Sequence, residues 1–368
     1  MYEEMVLEVN NTKATLLGLL KSNYKDQSKL IDASIQFTAF CVSIGDHSDK
    51  VISQAVEFVQ RNCGAIVLLV KCLQSWGKLY YRIDNLERAR EKLVEAEKLY
   101  LFSLNDNSQL YGLILRDIGD TYMLQNALNN AEACYQKALS RYKDGNDFLE
   151  KGDAYSSLGN VSRALNKLDE AITLYQRAIE CHKDMNAPLS QAHNYHGLAH
   201  TYLSQDRPIK AEAALQKALT FHKAANSPLG QGNDYQLLGQ IYLKLKRLED
   251  ATAACYRALE FHKAANDTLG QGNDHESLGK IYLSQNNLNE AESSFQKALE
   301  LHTVANDALG QGNDCFRLGR VYMERKQLYN AKSMFEKAMG FHKKSQYSAG
   351  EKRDADYLNA VIIQMKAE

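Results

Sequence analysis

The hexapeptide LGQGND is written at residues 229–234, again at 269–274 and again at 309–314, an interval of forty residues each time. A catalytic loop serves a protein once. Triplication at a constant interval points instead to a unit that is stacked, so the period is the first thing to explain. Cut at residues 111, 151, 191, 231, 271 and 311, the chain yields six consecutive forty-residue units with no insertion between them. Units 231–270 and 271–310 are identical at 20 of 40 positions, which fixes the register of the repeat.

Within the unit opening at 231, Tyr235, Leu238, Gly239 and Tyr242 recur at i, i+3, i+4 and i+7, one face of a helix. A polar break at residues 244–247 follows, and then a second stripe of Leu248, Ala251, Cys255 and Ala258. Each unit is therefore expected to be two amphipathic helices. The pattern returns as Leu278, Gly279, Tyr282, Ala291, Phe295 and Ala298, and as Leu318, Gly319, Tyr322, Ala331, Phe335 and Ala338. The small residues read as places where two backbones approach, Gly in the first helix and Ala in the second.

The order apolar, Leu-Gly, Tyr, then Ala, aromatic, Ala resembles the tetratricopeptide repeat, whose paired antiparallel helices stack into a right-handed superhelix. A degenerate earlier copy fits as Leu73, Trp76, Gly77, Tyr80, Ala89, Leu93 and Ala96. The resemblance implies an all-α, right-handed superhelical α-solenoid of about seven helix hairpins, in units near 70–110, 111–150, 151–190, 191–230, 231–270, 271–310 and 311–350. The unit is longer than the common version of about 34 residues and lacks its proline. Similar long forms occur in Pins/LGN-type scaffolds, in Rap-type peptide receptors and in the repeat sensors of NLR-like (STAND) proteins. No GxxxxGK[ST] motif accompanies the repeats here.

The ends break the period. Residues 1–69 suggest helices near 6–23, 28–44 and 49–62, with Leu7, Leu17, Leu20, Ile31, Phe37, Phe40, Val51, Val56 and Val59 as core candidates. A solenoid needs its first apolar face covered, so this segment is expected to be a helical cap, the alternative being an effector module. Residues 351–368 read as a single closing helix whose charged first turn faces solvent.

Composition narrows the function classes. The formal net charge of −1 offers no global field to attract nucleic acid or an anionic membrane. The first residues, MYEEMVLEVNN, lack the basic and apolar regions of a signal peptide, and the apolar run Gly64 to Val70 is far short of a bilayer span. Seven cysteines without CxxC spacing argue against disulfides and structural zinc, and Cys255 and Cys315 read as small buried hydrophobes. A cytoplasmic protein without cofactor, metal or membrane insertion is expected.

The hexapeptide itself reads as the junction between hairpins. Asn226, Asn266 and Asn306 stand where a helix terminates, the Leu-Gly pair closes the loop, and Asp234, Asp274 and Asp314 complement the dipole of the next helix. The asparagines are explained less well by this. Position 2 of the first helix in a tetratricopeptide hairpin faces the concave groove, and here it is Asn233, Asn273 and Asn313, preceded by Asp153 and His193. A carboxamide offers both donor and acceptor to the backbone of an extended peptide. The arrangement resembles the asparagine ladder of peptide-binding members of the superfamily.

Further groove positions carry Asn160, His196, His200, Gln236, Gln240, Lys244, Glu276, Lys280 and Arg320, a mixed polar surface. His193, His196 and His200 share one helical face, suited to contacting a ligand or, less well, to holding zinc. A second series, His182, His222, His262, His302 and His342, recurs near the end of the second helix and is assigned to packing and dipole complementarity, without function. No nucleophile, phosphate loop or carboxylate pair is found, so the reading is a non-enzymatic scaffold that binds protein or peptide. The alternative is a Rap-like regulator switched by a peptide.

Overall fold

The computed structural model describes residues 12–20, 26–43, 49–62, 66–103, 108–142 and 147–367. These residues are helical throughout, with short turns and no strand. Leu7, in the first expected helix, lies outside them. The chain divides into two compact units, Met1–Asn186 and Ala187–Glu368.

The first unit contains α1 (12–20), α2 (Gln27–Ser43), α3 (Lys50–Asn62), α4 (Ile66–Arg82), α5 (Leu86–Phe102), α6 (Ser108–Leu124), α7 (Leu128–Leu139), α8 (Phe148–Ala164) and α9 (Leu168–Asp184). Three antiparallel hairpins, α4/α5, α6/α7 and α8/α9, stack in sequence, with α2 and α3 against α4. Ile31, Ile52, Phe58, Leu73 and Leu93 share one core that runs from the irregular helices into the first hairpins.

The second unit contains α10 (Pro188–Ser204), α11 (Pro208–Ala224), α12 (Pro228–Lys244), α13 (Leu248–Ala264), α14 (Thr268–Ser284), α15 (Leu288–Val304), α16 (Ala308–Glu324), α17 (Leu328–Lys344) and α18 (Ser348–Ala367). Its hairpins are α10/α11, α12/α13, α14/α15 and α16/α17, and the first helix of each packs on the first helix of the next. The closing helix α18 covers the last hairpin, where Tyr357 meets Phe316 at 5.0 Å and Phe335 at 5.5 Å between ring centroids. Each unit is a stack of helical hairpins, the construction of an α-solenoid.

The turns follow from local chemistry. Asn186, Asn226, Asn266, Asn286 and Asn306 all adopt left-handed φ between 47° and 60°, the conformation that ends a helix and that Asn tolerates. All three prolines stand at the first position of a helix, where the missing N–H removes no bond. The next helices are capped at residues 227, 267 and 307. The Ser227 and Asp267 side chains accept from the N–H of Gly230 and Gly270, and Asp307 accepts from Leu309. The junction therefore falls before the hexapeptide, and its Leu-Gly pair lies inside the first helical turn, correcting the expected loop.

The conserved spacing of small residues has a different purpose from the expected backbone approach. A Cβ placed on Gly279 would lie 2.6 Å from Phe295 Cε1, and one on Gly319 would lie 2.7 Å from Phe335 Cε1. These glycines make room for an aromatic ring from the partner helix. Where the ring is replaced by Cys255, Gly239 faces its sulfur instead. Cys255 and Cys315 are both fully buried, and burial pushes each thiol up to about 12.

Two glycine substitutions should move stability in opposite directions. Gly279→Ala drives a methyl into the Phe295 ring and is expected to destabilise by about 1–3 kcal/mol. Gly340, exposed in α17 with nothing within 4 Å of its missing Cβ, is expected to stabilise by about 1 kcal/mol when changed to Ala. Thermal unfolding followed by circular dichroism reads both, and a rise in midpoint for Gly279→Ala would contradict the packing account.

Candidate functional site

The first helices of successive hairpins in the second unit lie side by side, and each turns one polar stripe to solvent. Along α12 that stripe is Leu229, Asn233, Gln236, Gln240 and Lys244, spaced by three or four residues. Gly232, Leu238, Gly239 and Ile241 occupy the opposite, buried side. The expected groove residues on this helix therefore do share a face, as do Asn273, Glu276 and Lys280 on α14.

Their neighbours are specific. His262 places Nε2 3.2 Å from Asn233 Oδ1 and Nδ1 2.6 Å from Asp274 Oδ2. His302 repeats the arrangement, with Nε2 3.2 Å from Asn273 Oδ1 and Nδ1 2.6 Å from Asp314 Oδ2. Each histidine belongs to the second helix of one hairpin, its asparagine to the first helix of the same hairpin, and its aspartate to the first helix of the next. His222 and His342 make the same contact with Asp234 at 2.6 Å and Asp354 at 2.5 Å. All four aspartates are fully buried.

Two expectations are thereby corrected. Asp234, Asp274 and Asp314 do not sit at the helix N-terminus in solvent; they lie seven residues into helices that start at 228, 268 and 308 and hold a buried imidazole. The forty-residue histidine series was assigned to packing as well as to dipole complementarity, and His222, His262 and His302 do pack between repeats, each tying its hairpin to the next, while His342 ties the last hairpin to α18. The charged stretch expected to open the closing helix at 351 is likewise not wholly solvent-facing, since Asp354, the seventh residue of α18, is buried against His342. The spacing of twelve residues between each histidine and its aspartate was the available signal.

The glycines of the hexapeptide complete the socket. A Cβ on Gly232 would strike the His262 ring at 2.5 Å, and one on Gly270 would strike the same ring at 2.7 Å from the other side. Gly272 and Gly310 flank His302 in the same way. At His262 and His302 glycine on both sides leaves the imidazole its slot.

The surroundings of the second oxygen differ from one aspartate to the next. Asp234 Oδ1 lies 2.6 Å from His196 Nδ1, and Asp274 Oδ1 accepts from Gln236 Nε2 at 3.0 Å. At Asp314 the corresponding residue is Glu276, which is bound to Lys280 at 2.6 Å, and Asp314 Oδ1 has no hydrogen-bond partner. Burial is the main force that pushes the Asp314 carboxyl up, to about 7, with Glu276 adding to it and His302 opposing. Burial also raises Asp274. Burial acts most strongly on His302 and pulls it down, but the hydrogen bond and the charge of Asp314, together with Asp307 and Glu276, raise it on balance.

The histidine cluster is divided rather than convergent. His196 is committed to Asp234, and its ring is 5.0 Å from that of His200, while the His193 ring lies 5.3 Å from His222. Among the described residues no group of three or more His, Cys, Asp or Glu side chains is placed to hold a metal ion. In the first unit, Asp153 is bound to Arg116 at 2.7 Å and to His182 at 3.2 Å. Burial raises its carboxyl, but these two partners together hold it below the usual carboxylate range. Asn160 Oδ1 accepts from the Tyr175 hydroxyl at 2.7 Å. Lys244 reaches Asp206 at 2.7 Å. Asn313 differs from its siblings in that the Nε2 of His342 has no hydrogen-bond partner. Arg320 is half-buried on α16.

A carboxyl held above its unfolded value near 3.9 stabilises the fold fully below that value and loses the contribution as pH rises through about 7. A histidine raised above 6.5 has the same sign. The thermal midpoint of the wild type is therefore expected to fall between pH 5 and pH 8 by more than that of Asp314→Asn, a residue already present as Asn194 in an earlier repeat. Equal slopes for the two proteins would refute the protonated pair.

Family models of the tetratricopeptide repeat match residues 150–224 and 234–303, and a second model of the same repeat matches 117–144 and 315–341. No curated protein matches the chain. Among solved structures, a STAND protein with a tetratricopeptide repeat sensor, PH0952 from Pyrococcus horikoshii, superposes with a TM-score of 0.67 at 16% identity, covering 93% of this chain and 50% of that one. The apo form of RapI gives 0.62 at 14% identity, over 92% of this chain and 99% of its own. A Rap protein complexed with Competence and Sporulation Factor gives 0.61 at 12% identity with the same coverage. Such identities establish likeness of fold alone. Among the described residues no helix is long and apolar enough to cross a membrane. The repeated hairpins and the family models agree, and the chain belongs to the tetratricopeptide-repeat family.

Proposed function

We propose that this protein is a non-enzymatic interaction scaffold whose first helices line a concave groove for an extended peptide or a partner helix. One observation carries the reading. Asn233 and Asn273 repeat on adjacent helices at the solvent boundary, each anchored from below by a buried histidine, so their carboxamides are presented in one orientation. A row of oriented amides suits an extended backbone, which offers polar groups at regular intervals whatever its side chains. Gln236, Gln240, Lys244, Glu276, Lys280 and Arg320 supply side-chain selectivity along the same helices. His193, His196, His200 and Asn313 extend the face within the second unit, and Asp153 and Asn160 are offered for the corresponding face of the first unit by itself.

A second reading, a peptide-switched regulator, is favoured by the extent of the likeness to Rap structures, which takes in the N-terminal helices as well as the repeats. In that case α1 to α3 act on a partner when a peptide occupies the groove. Compaction in small-angle scattering on peptide addition separates it from the scaffold reading. A reducing compartment such as the cytoplasm suits Cys134, Cys255 and Cys315, which stand outside any disulfide.

The test is affinity capture from host lysate with wild type and with the Asn233→Ala, Asn273→Ala double variant. The expected outcome is a partner retained by the wild type and reduced at least tenfold by the variant, with unchanged helical circular dichroism. Capture of the same proteins by both would rule out the asparagine face.

A further inference from the structure

The hydrogen bonds around His262 and His302 restrict where protons reside. An ionised carboxylate accepts only, and an amide oxygen accepts only. Each imidazole has one such acceptor at each nitrogen, Asp Oδ2 at 2.6 Å and Asn Oδ1 at 3.2 Å. Two gaps between three groups require two hydrogens. Whether the inner hydrogen rests on Nδ1 or on the aspartate, the outer one must be on Nε2.

The electrostatic surroundings favour that count. Both histidines and both aspartates are fully buried, and a pair with a single hydrogen would place a net negative charge there without solvent. The other groups facing the pairs are largely acidic or neutral. Around His262 these are Asp267 at the start of α14, with Oδ2 4.0 Å from Nε2, and Gln236 from α12, which donates to Asp274. Around His302 they are Asp307 at the start of α16 and Glu276 from α14, the latter tied to Lys280. Excess negative charge holds the proton in place.

We propose that the His262–Asp274 and His302–Asp314 pairs each keep a hydrogen on Nε2 at neutral pH, fixing Asn233 and Asn273 as donor-only rungs that read the carbonyl oxygens of a bound chain. This rests on the reading of the face as a peptide groove and adds what the groove recognises. Each amide oxygen is turned inward onto its histidine, so each NH₂ group is turned outward. The N–H groups of the ligand backbone go unread at these rungs, and proline or N-methyl residues are accepted there. Loss of the Nε2 hydrogen of His302 at higher pH makes that nitrogen an acceptor, which the Asn273 amide satisfies only by reversing. The rung then presents an acceptor and no longer holds a carbonyl.

Adjacent packed helices are about 10 Å apart. A polyproline II chain turns the same side outward every three residues, about 9.3 Å. An acceptor-only chain of this form meets both rungs, so acetyl-nonaproline-amide is the probe.

The experiment has two arms. Long-range proton–nitrogen correlation on the histidine-labelled full chain at pH 6.5 should show a protonated Nε2 in His262 and in His302. Asn233→Leu and Asn273→Leu, changes at the solvent boundary, assign these signals by displacing one each. A bare Nε2 in both rings overturns the proposal, even if lysate capture still depends on the asparagines, in which case the groove reading stands alone. In the second arm, fluorescein-labelled nonaproline followed by anisotropy should bind at pH 6.5, weaken at least tenfold at pH 9, and weaken at least tenfold in Asn233→Leu. Absent binding, or binding indifferent to pH, overturns carbonyl recognition. A protonated Nε2 with capture unaffected by the asparagine variants would instead remove the groove reading on which recognition depends.

Discussion

A buried imidazole bound to a buried carboxylate holds each hairpin of the second unit to the next. The pair has to be complete. Removing one member of a buried, hydrogen-bonded pair leaves an unsatisfied charge and costs about 3–5 kcal/mol, more than a surface contact contributes. The glycines on either side are consequences of accommodating that ring. LGQGND is best understood as one half of two successive sockets: its first glycine and its aspartate serve the preceding histidine, and its second glycine and asparagine serve the following one.

The first unit shows what happens when the pair is absent. Tyr142 stands where the histidine would be and Ala154 where the aspartate would be. The Tyr135 hydroxyl reaches Asp120 at 2.6 Å and that of Tyr175 reaches Asn160 at 2.7 Å within their hairpins, while Gln74 donates to Asp117 at 2.6 Å and Arg116 to Asp153 at 2.7 Å between hairpins. Burial raises the Asp120 carboxyl to about 6, against the opposing bond from Tyr135. In the later repeats Phe295 and Phe335 carry no hydroxyl, and Lys280 and Arg320 occupy the positions that Asp120 and Asn160 hold earlier. The same geometric slot thus alternates between a polar tether and a purely apolar fill.

Much of the fold was legible because two periods coincide, 3.6 residues within each helix and forty between hairpins. Tyr242, Gly239 and Leu238 can be assigned to one face without coordinates. The site was legible only in part. Asn233 and Asn273 stood out because helix-start chemistry did not need them, whereas Asp274 and His262 each had an adequate local explanation in the helix dipole. Nothing in a separation of twelve residues states that they touch. That fact depends on the turn at Asn266, whose left-handed φ of 54° folds α14 back along α13. The division of the histidine cluster was equally hidden, since His193 and His196 share a face yet meet His222 of their own hairpin and Asp234 of the next.

The split sockets also bear on how such an array changes length. Every forty-residue segment cut from within residues 222–351 contains one of the socket histidines, one of the socket aspartates and both clearing glycines, although they belong to two different sockets. Joining such a segment in frame to its own copy pairs the open half at one end with the matching open half at the other. Recombination between these repeats therefore yields a satisfied junction wherever the crossover falls. The molecule can gain or lose hairpins by unequal exchange without having to evolve a new interface.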